Sequence, residues 1–248
     1  MKIILSPAKK MNVDTDSIEP AGSPVFIEET KEILNWLKQK SREELKAIWK
    51  CNDKIAEQNF ERLENMDLYS RLTPAIMAYE GIAFQYMAPA VFETRQLEYV
   101  QSHLRILSAF YGALKPMDGV TPYRLEMQAK AAIRDTKNLY DFWGSRLYYE
   151  VRDDSGIIIN LASKEYSKCI EKYLSPEDQY ITITFCESSG SRLVTKGTYA
   201  KMARGEMVRY MAEKLMEDPL DIKKFNRLGY GFREDLSSEA EYVFERKI

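Results

Sequence analysis

Three observations predict a mixed α/β fold in a single domain. Short runs rich in aliphatic and β-branched residues stand at 2–5, 104–110, 157–161 and 180–186, and longer segments with helical spacing separate them. The alternation is irregular, with neither a repeating βαβ unit nor an internal repeat, so a mixed sheet surrounded by helices is expected. No low-complexity linker divides the 248 residues, so one domain is expected over 1–248, with a helical hairpin sub-region at 41–65.

The elements follow in chain order. Residues 2–5 form a buried strand that Ser6-Pro7 stops, and the polar segment 12–24, with Pro20, Gly22 and Pro24, is a loop. Phe26, Ile33, Leu34 and Leu37 are spaced as one face of a helix. Ser41 followed by Glu44 is a capping box opening a second helix with Leu45, Ile48 and Trp49 on one face. A break at Asn52-Asp53 precedes a third helix carrying Ile55, Ala56, Phe60 and Leu63. Residues 75–79 read as a strand ended by Gly81, 91–103 as a helix, and 104–110 as a buried strand entering a loop at Gly112. Residues 139–149 read as a helix, 157–161 and 180–186 as strands, 199–216 as a long helix and 241–246 as a terminal strand.

Composition narrows the chemistry. Hydrophobic residues make up 45% and charged residues 30%, an ordinary globular mixture. Lys and Arg total 36 and Asp and Glu 38, for a net charge of −2, so bulk charge does not drive nucleic-acid binding and any anion site is local. Cys51, Cys169 and Cys186 are far apart and odd in number, which fits reduced thiols in a reducing compartment. His103 is the only histidine, so no histidine cluster for zinc or iron is expected, and neither a metal site nor a cofactor is predicted. The chain has no G-x-S-x-G elbow, Walker loop or G-x-G-x-x-G. The apolar run at the start is too short for a signal peptide, and no stretch approaches the roughly 18 apolar residues of a membrane span. A cytoplasmic protein with no membrane contact is expected.

Chemistry therefore rests on Arg, Lys, Glu and Tyr, in four places. Ser6-Pro7-Ala8-Lys9-Lys10 follows the first strand, where α/β sheets often bind ligands, and Lys9 can reach an anion. Arg105, Tyr111, Tyr123, Arg124 and Glu126 flank a Gly/Pro-rich loop. An arginine fork there suits phosphate or carboxylate, and Glu126 can orient Arg124 or act as a base; equally, Arg105 and Arg124 can be buried structural pairs. Lys196, Lys201, Arg204 and Arg209 give a local basic excess over Glu206 at the start of the long helix. Lys201 and Arg204 sit about 60° apart on the helix surface and Arg209 is well round from them. Finally, Arg42, Lys46, Lys50 and Lys54 recur every four residues beside Asn52-Asp53, interleaved with Glu43, Glu44, Asp53 and Glu57. Such a ribbon is either a DNA-backbone contact or a solvated helix face.

Six ordered blocks resemble the YaaA family, the bacterial peroxide-stress family. They are Ser6-Pro7-Ala8-Lys9; Leu107-Ser108 with Tyr111-Gly112; the run from Pro122 to Met127; Asn160-Leu161-Ala162-Ser163; the run from Ala200 to Gly205; and Phe225-Asn226 with Gly229-Tyr230. The resemblance implies a cytoplasmic, compact mixed α/β protein acting in the response to hydrogen peroxide. It also implies a limit on free iron that protects DNA from iron-driven oxidation, and binding of duplex or branched DNA through a helix-hairpin-helix-like element and a positive cleft. The hairpin would lie between the helices around Ile48 and Ile55, near Lys50 and Lys54, with Cys51-Asn52-Asp53 where such hairpins usually hold glycine. The cleft residues would be Lys9, Arg105, Arg124, Lys201 and Arg204. Two readings remain open at this point: a DNA-binding stress protein, and an enzyme whose pocket, lined by Lys9, Arg105, Tyr123, Arg124 and Glu126, holds a nucleotide- or nucleobase-like molecule. A protein-interaction module with structural arginines is a third.

Overall fold

The first buried run of the sequence becomes the central strand of the sheet. The structure, a computed structural model, describes residues 1–190 and 192–247. In chain order it runs β1 (Lys2–Leu5), β2 (Lys10–Met11), α1 (Ile27–Lys38), α2 (Arg42–Trp49), α3 (Asp53–Glu64), β3 (Thr73–Pro74), α4 (Ala75–Ala78), β4 (Tyr79–Glu80), α5 (Ile82–Met87) and α6 (Thr94–His103). It continues with β5 (Leu104–Ser108), β6 (Gly112–Leu114), β7 (Gly119–Val120), α7 (Leu139–Trp143), α8 (Arg146–Val151), β8 (Ile157–Asn160), α9 (Lys164–Glu171), β9 (Gln179–Ser189), β10 (Arg192–Val194), α10 (Gly197–Lys214), β11 (Tyr230–Phe232) and β12 (Glu241–Arg246).

The main sheet has the order β11-β12-β9-β8-β1-β5-β6, with β10 paired to the far end of β9. Its centre is parallel: β1 pairs with β5 on one side and β8 on the other, β8 with β9, and β9 with β12. The edges β6 and β11 are antiparallel, which makes the sheet mixed and the chain a single compact α/β domain. The chain moves from β1 outward through β5 and β6, then returns across β1 to build β8 and β9. The gap between β1 and β8 is thus a topological switch point, where the connections leave in opposite directions and open a crevice beyond the carboxyl ends of the strands. Both faces of these strands are covered, as their continuous apolar sequences require: Ile3, Ile4, Ile106, Leu107, Ile158 and Ile159 are fully buried.

Local chemistry explains the helices that were legible. The Ser41 capping box forms both bonds, Glu44 N–H to Ser41 Oγ at 3.2 Å and Ser41 N–H to Glu44 Oε2 at 2.8 Å. Asn52 Oδ1 caps α3 through Ile55 N–H at 3.0 Å. Between them Lys50 takes the left-handed conformation (φ 45°) and makes the turn without glycine. Half of the expected basic ribbon is neutralised within this hairpin: Arg42 pairs with Glu57 at 3.1 Å and Lys46 with Asp53.

Two expectations fail for local reasons. Residues 75–79 are not a strand: Pro74 stands at the N-cap of the single turn α4, and only Tyr79 continues into β4. Ala75, Ile76 and Ala78 of this apolar run are buried, and burial looks the same in a short helix as in a strand. The helix expected over 139–149 is divided into α7 and α8 by Gly144, whose φ of 54° ends the first helix.

Candidate functional site

At the switch point the loops after β1 and β8 are stitched together by two serines. Ser163 N–H donates to Ser6 Oγ at 2.8 Å, and the Ser6 hydroxyl contacts Ser163 Oγ at 3.1 Å. Ser163 stands at the N-cap of α9, and its side chain serves this junction instead of capping the helix. Above the stitch lies a cleft of about 400 Å³, bounded by 5–10, 80–84, 123–126, 161–166, Lys201 and Arg204. Its size suits a small organic molecule.

Close backbone approaches build the walls. A Cβ at Gly205 would lie 1.8 Å from the carbonyl oxygen of Ala83, so only glycine lets α10 lie against α5 at this depth. That contact holds Arg204 and Lys201 at the rim. A Cβ at Gly81 would stand 2.8 Å from Ala8 Cβ, so the start of α5 nests against the loop that carries Lys9.

Five cations and three carboxylates line the cleft: Lys9, Lys10, Arg124, Lys201 and Arg204 against Glu80, Glu126 and Glu165. Two of the carboxylates are engaged by cations. Glu126 Oε1 accepts Lys9 Nζ at 2.7 Å and lies 3.4 Å from Arg124 Nη2, and Glu80 Oε1 accepts Lys10 Nζ at 2.7 Å. Glu165 Oε1 accepts the backbone N–H of Gln128 at 3.2 Å. Lys201 and Arg204 have no carboxylate partner among the described residues. Among the described residues, Arg204 Nε is buried with no hydrogen-bond partner, and so is Arg124 Nε. Burial pushes the Arg204 guanidinium below its ordinary pKa, the response of a charge removed from water without a counter-charge.

The floor is phenolic. Tyr123 Oη lies 2.9 Å from Tyr79 Oη and 2.7 Å from Ser108 Oγ. Its ring stacks on Phe110 at 4.9 Å and meets Tyr111 edge-on at 5.4 Å. Burial pushes the Tyr123 phenol up to about 12, against the hydrogen bonds from Ser108 and Tyr79. Tyr166, at the start of α9, also lines the cleft, and burial pushes its phenol well above the usual range.

Of the residues singled out in the sequence, Lys9, Tyr123, Arg124, Glu126, Lys201 and Arg204 converge here. Arg105 does not: it sits in the amino-terminal half of β5, 5% exposed, bound to Glu150 at 3.2 Å and to the carbonyls of Gln101 and Leu104. An arginine between apolar strand neighbours must be satisfied locally. Lys196 pairs with Glu187 at 2.7 Å and lies over the Tyr199 ring, and Arg209 pairs with Glu213 at 2.8 Å. Lys50 and Lys54 are exposed at the α2–α3 turn, away from the cleft. Sequence reading missed Tyr79, Glu80, Ser108, Glu165 and Tyr166 as site residues. Tyr79 ends the 75–79 run read as a strand and Glu80 directly follows it, whereas Ser163 followed by Tyr166, Cys169, Ile170 and Tyr173 carries a helix-start pattern that marks α9. Among the described residues no three metal-ligating side chains of His, Cys, Asp or Glu come together, and no helix is long and apolar enough to cross a membrane.

Comparison with known proteins gives a consistent result. The sequence model of a family described as "Peroxide stress protein YaaA" matches residues 1–236. A UPF0246 protein of Agathobacter rectalis is 76% identical over the full length of both chains. Another from Lachnoclostridium phytofermentans is 55% identical over 98% of this chain and 96% of its own. A third from Desulfitobacterium hafniense is 52% identical over 100% of this chain and 99% of its own.

Proposed function

The chain belongs to the family of the peroxide stress protein YaaA, and from that premise we propose that its part in the peroxide response is carried by the cleft, as a binding site for a small phosphorylated, nucleotide-like molecule. The observation that carries this reading is Arg204. A guanidinium lining a cleft, with its Nε buried and no counter-charge among the described residues, is costly for the empty protein unless an anion fills the role. Lys201, three residues earlier on α10, adds a second unpaired cation to the same wall. Arginine forks suit phosphate geometry. In the same cleft, Lys9, Arg124 and Glu126 form a network that supplies both donors and an acceptor for the polar remainder of a nucleotide.

DNA is the second reading, and one observation favours it: Lys50 and Lys54, at the tip of the α2–α3 hairpin, are exposed and carry no carboxylate partner among the described residues. They suit phosphate contacts without sequence preference. On either reading, protection of DNA from iron-driven oxidation acts through the bound ligand or bound DNA rather than through iron held in a histidine-rich centre.

Calorimetric titration tests the two readings together. Inorganic phosphate, adenosine monophosphate, and duplex and branched DNA are added at about 50 and about 200 mM salt. Saturable binding of the nucleotide at one site, lost in Arg204→Gln, is expected. No binding of either small anion, with DNA affinity that falls steeply with salt and depends on Lys50 and Lys54, would transfer the function to the hairpin.

A further inference from the structure

The hydroxyl chain at the floor of the cleft has a direction, and counting lone pairs reveals it. Ser108 Oγ accepts the backbone N–H of Phe110 at 3.2 Å and of Tyr111 at 2.9 Å. Those two bonds fill both lone pairs of a serine oxygen. Across the 2.7 Å contact with Tyr123 Oη, Ser108 can therefore only donate. Tyr79 is 2% exposed and does not line the cleft, and its hydroxyl lies 2.9 Å from Tyr123 Oη. Tyr123 is also buried, at 6% exposed, but it alone of the two lines the cleft, where a ligand can accept a proton, so the unpaired proton falls to Tyr123 and Tyr79 donates to it. Tyr123 Oη then accepts twice, and its own proton has no protein acceptor among the described residues. Of these three residues, Tyr123 is the one that lines the cleft.

Resting on the reading of the cleft as an anion site, we infer that Tyr123 is the hydrogen-bond donor to a carbonyl or phosphoryl oxygen of the bound molecule, beside the anionic group taken by Arg204 and Lys201. The ring is held for this task by stacking on Phe110 and by edge contacts with Tyr111 and with Tyr79, the last at 6.4 Å. Two donors behind the phenolic oxygen stabilise negative charge on it, so the bond it gives strengthens as charge develops on the ligand oxygen. The phenols facing Tyr123 are Tyr79, Tyr111 and Tyr166, and burial pushes each of them up, so all are protonated near neutrality.

The experiment has two arms. In the first, a fluorotyrosine is placed at position 123, so that the phenol ionises in a range the fold tolerates, and is titrated by fluorine NMR with and without Tyr79→Phe. Removing a donor to the phenolic oxygen makes it ionise roughly threefold to tenfold less readily. An unchanged or easier ionisation would mean that Tyr79 gives no bond to the phenolic oxygen of Tyr123 and would overturn the direction. In the second arm, adenosine monophosphate is titrated into Tyr123→Phe, and a loss of affinity of about threefold or more is expected. Unchanged affinity overturns the donor role. If the unsubstituted protein binds neither adenosine monophosphate nor inorganic phosphate, the reading of the cleft fails, while the first arm still decides the direction of the chain.

Discussion

Replacing Arg204 with methionine is expected to raise stability and weaken nucleotide binding at once. The substitution keeps an apolar stem against α5 and removes a charge whose Nε is buried with no partner among the described residues. Exchanging buried ionic groups for packed apolar ones is neutral or stabilising by about 1–4 kcal/mol. Arg204 is only partly buried, so the low end applies. About 1 kcal/mol corresponds to a rise in Tm of about 2–4 °C for a chain of this size. Affinity moves the other way: charge-assisted hydrogen bonds contribute about 1.5–3 kcal/mol, so nucleotide binding weakens by about tenfold to a hundredfold. Differential scanning calorimetry reads the first effect and isothermal titration the second. Arg227→Met is the control. That arginine pairs with Glu206 at 2.9 Å and also with Glu213, so its loss lowers Tm. A fall in Tm for Arg204→Met comparable to the control would show that Arg204 serves the fold, and the argument for an anion site would fail.

Three further outcomes follow from the same structure. Gly205→Ala drives a methyl group into the Ala83 carbonyl and destabilises the protein by about 2 kcal/mol or more, read by urea unfolding; a loss under about 0.5 kcal/mol would mean that α5 and α10 are not locked together. Asp118 is pushed up to about 6 by burial, against the Lys115 N–H bond at 2.8 Å and the Lys115 and Arg105 charges. The folded protein holds this proton more tightly than the unfolded chain, so its contribution is full below about pH 4 and is lost as pH rises through 6, by at most about 3 kcal/mol. Asp118→Asn flattens that slope, and parallel unfolding curves between pH 4.5 and 7 for the two proteins would contradict the assignment. Replacing Lys50 and Lys54 with glutamine lowers the salt dependence of any DNA binding by about two phosphate contacts and leaves nucleotide affinity unchanged. A loss of nucleotide affinity in that variant would link hairpin and cleft.

The sheet was legible because its central strands are buried on both faces and read as continuous apolar runs, and the hairpin because Ser41, Glu44 and Asn52 announce the helix starts. Residues 75–79 were not, because four buried apolar residues carry no period that separates a helical turn from a strand. Lys9, Arg124, Glu126, Lys201 and Arg204 could be nominated individually from residue type and position. Their convergence depends on two features without a local signal: the reversal of strand order at β1, and the contact that Gly205 permits between α10 and α5. Arg105 shows the converse. Its neighbours in sequence suggested a ligand fork, and the folded chain satisfies it with Glu150 and two carbonyls instead. The polarity of the Ser108–Tyr123–Tyr79 chain lies beyond sequence altogether, because it follows from which lone pairs the turn at 108–111 has already filled.

The most direct test of the cleft as an anion site is the Nε–H resonance of Arg204, followed by nitrogen-15 NMR as adenosine monophosphate is added. The account predicts a saturable shift for Arg204 while Arg227, held by Glu206 and Glu213, stays still. An Arg204 resonance that does not move at millimolar nucleotide, while duplex DNA perturbs Lys50 and Lys54, would contradict it.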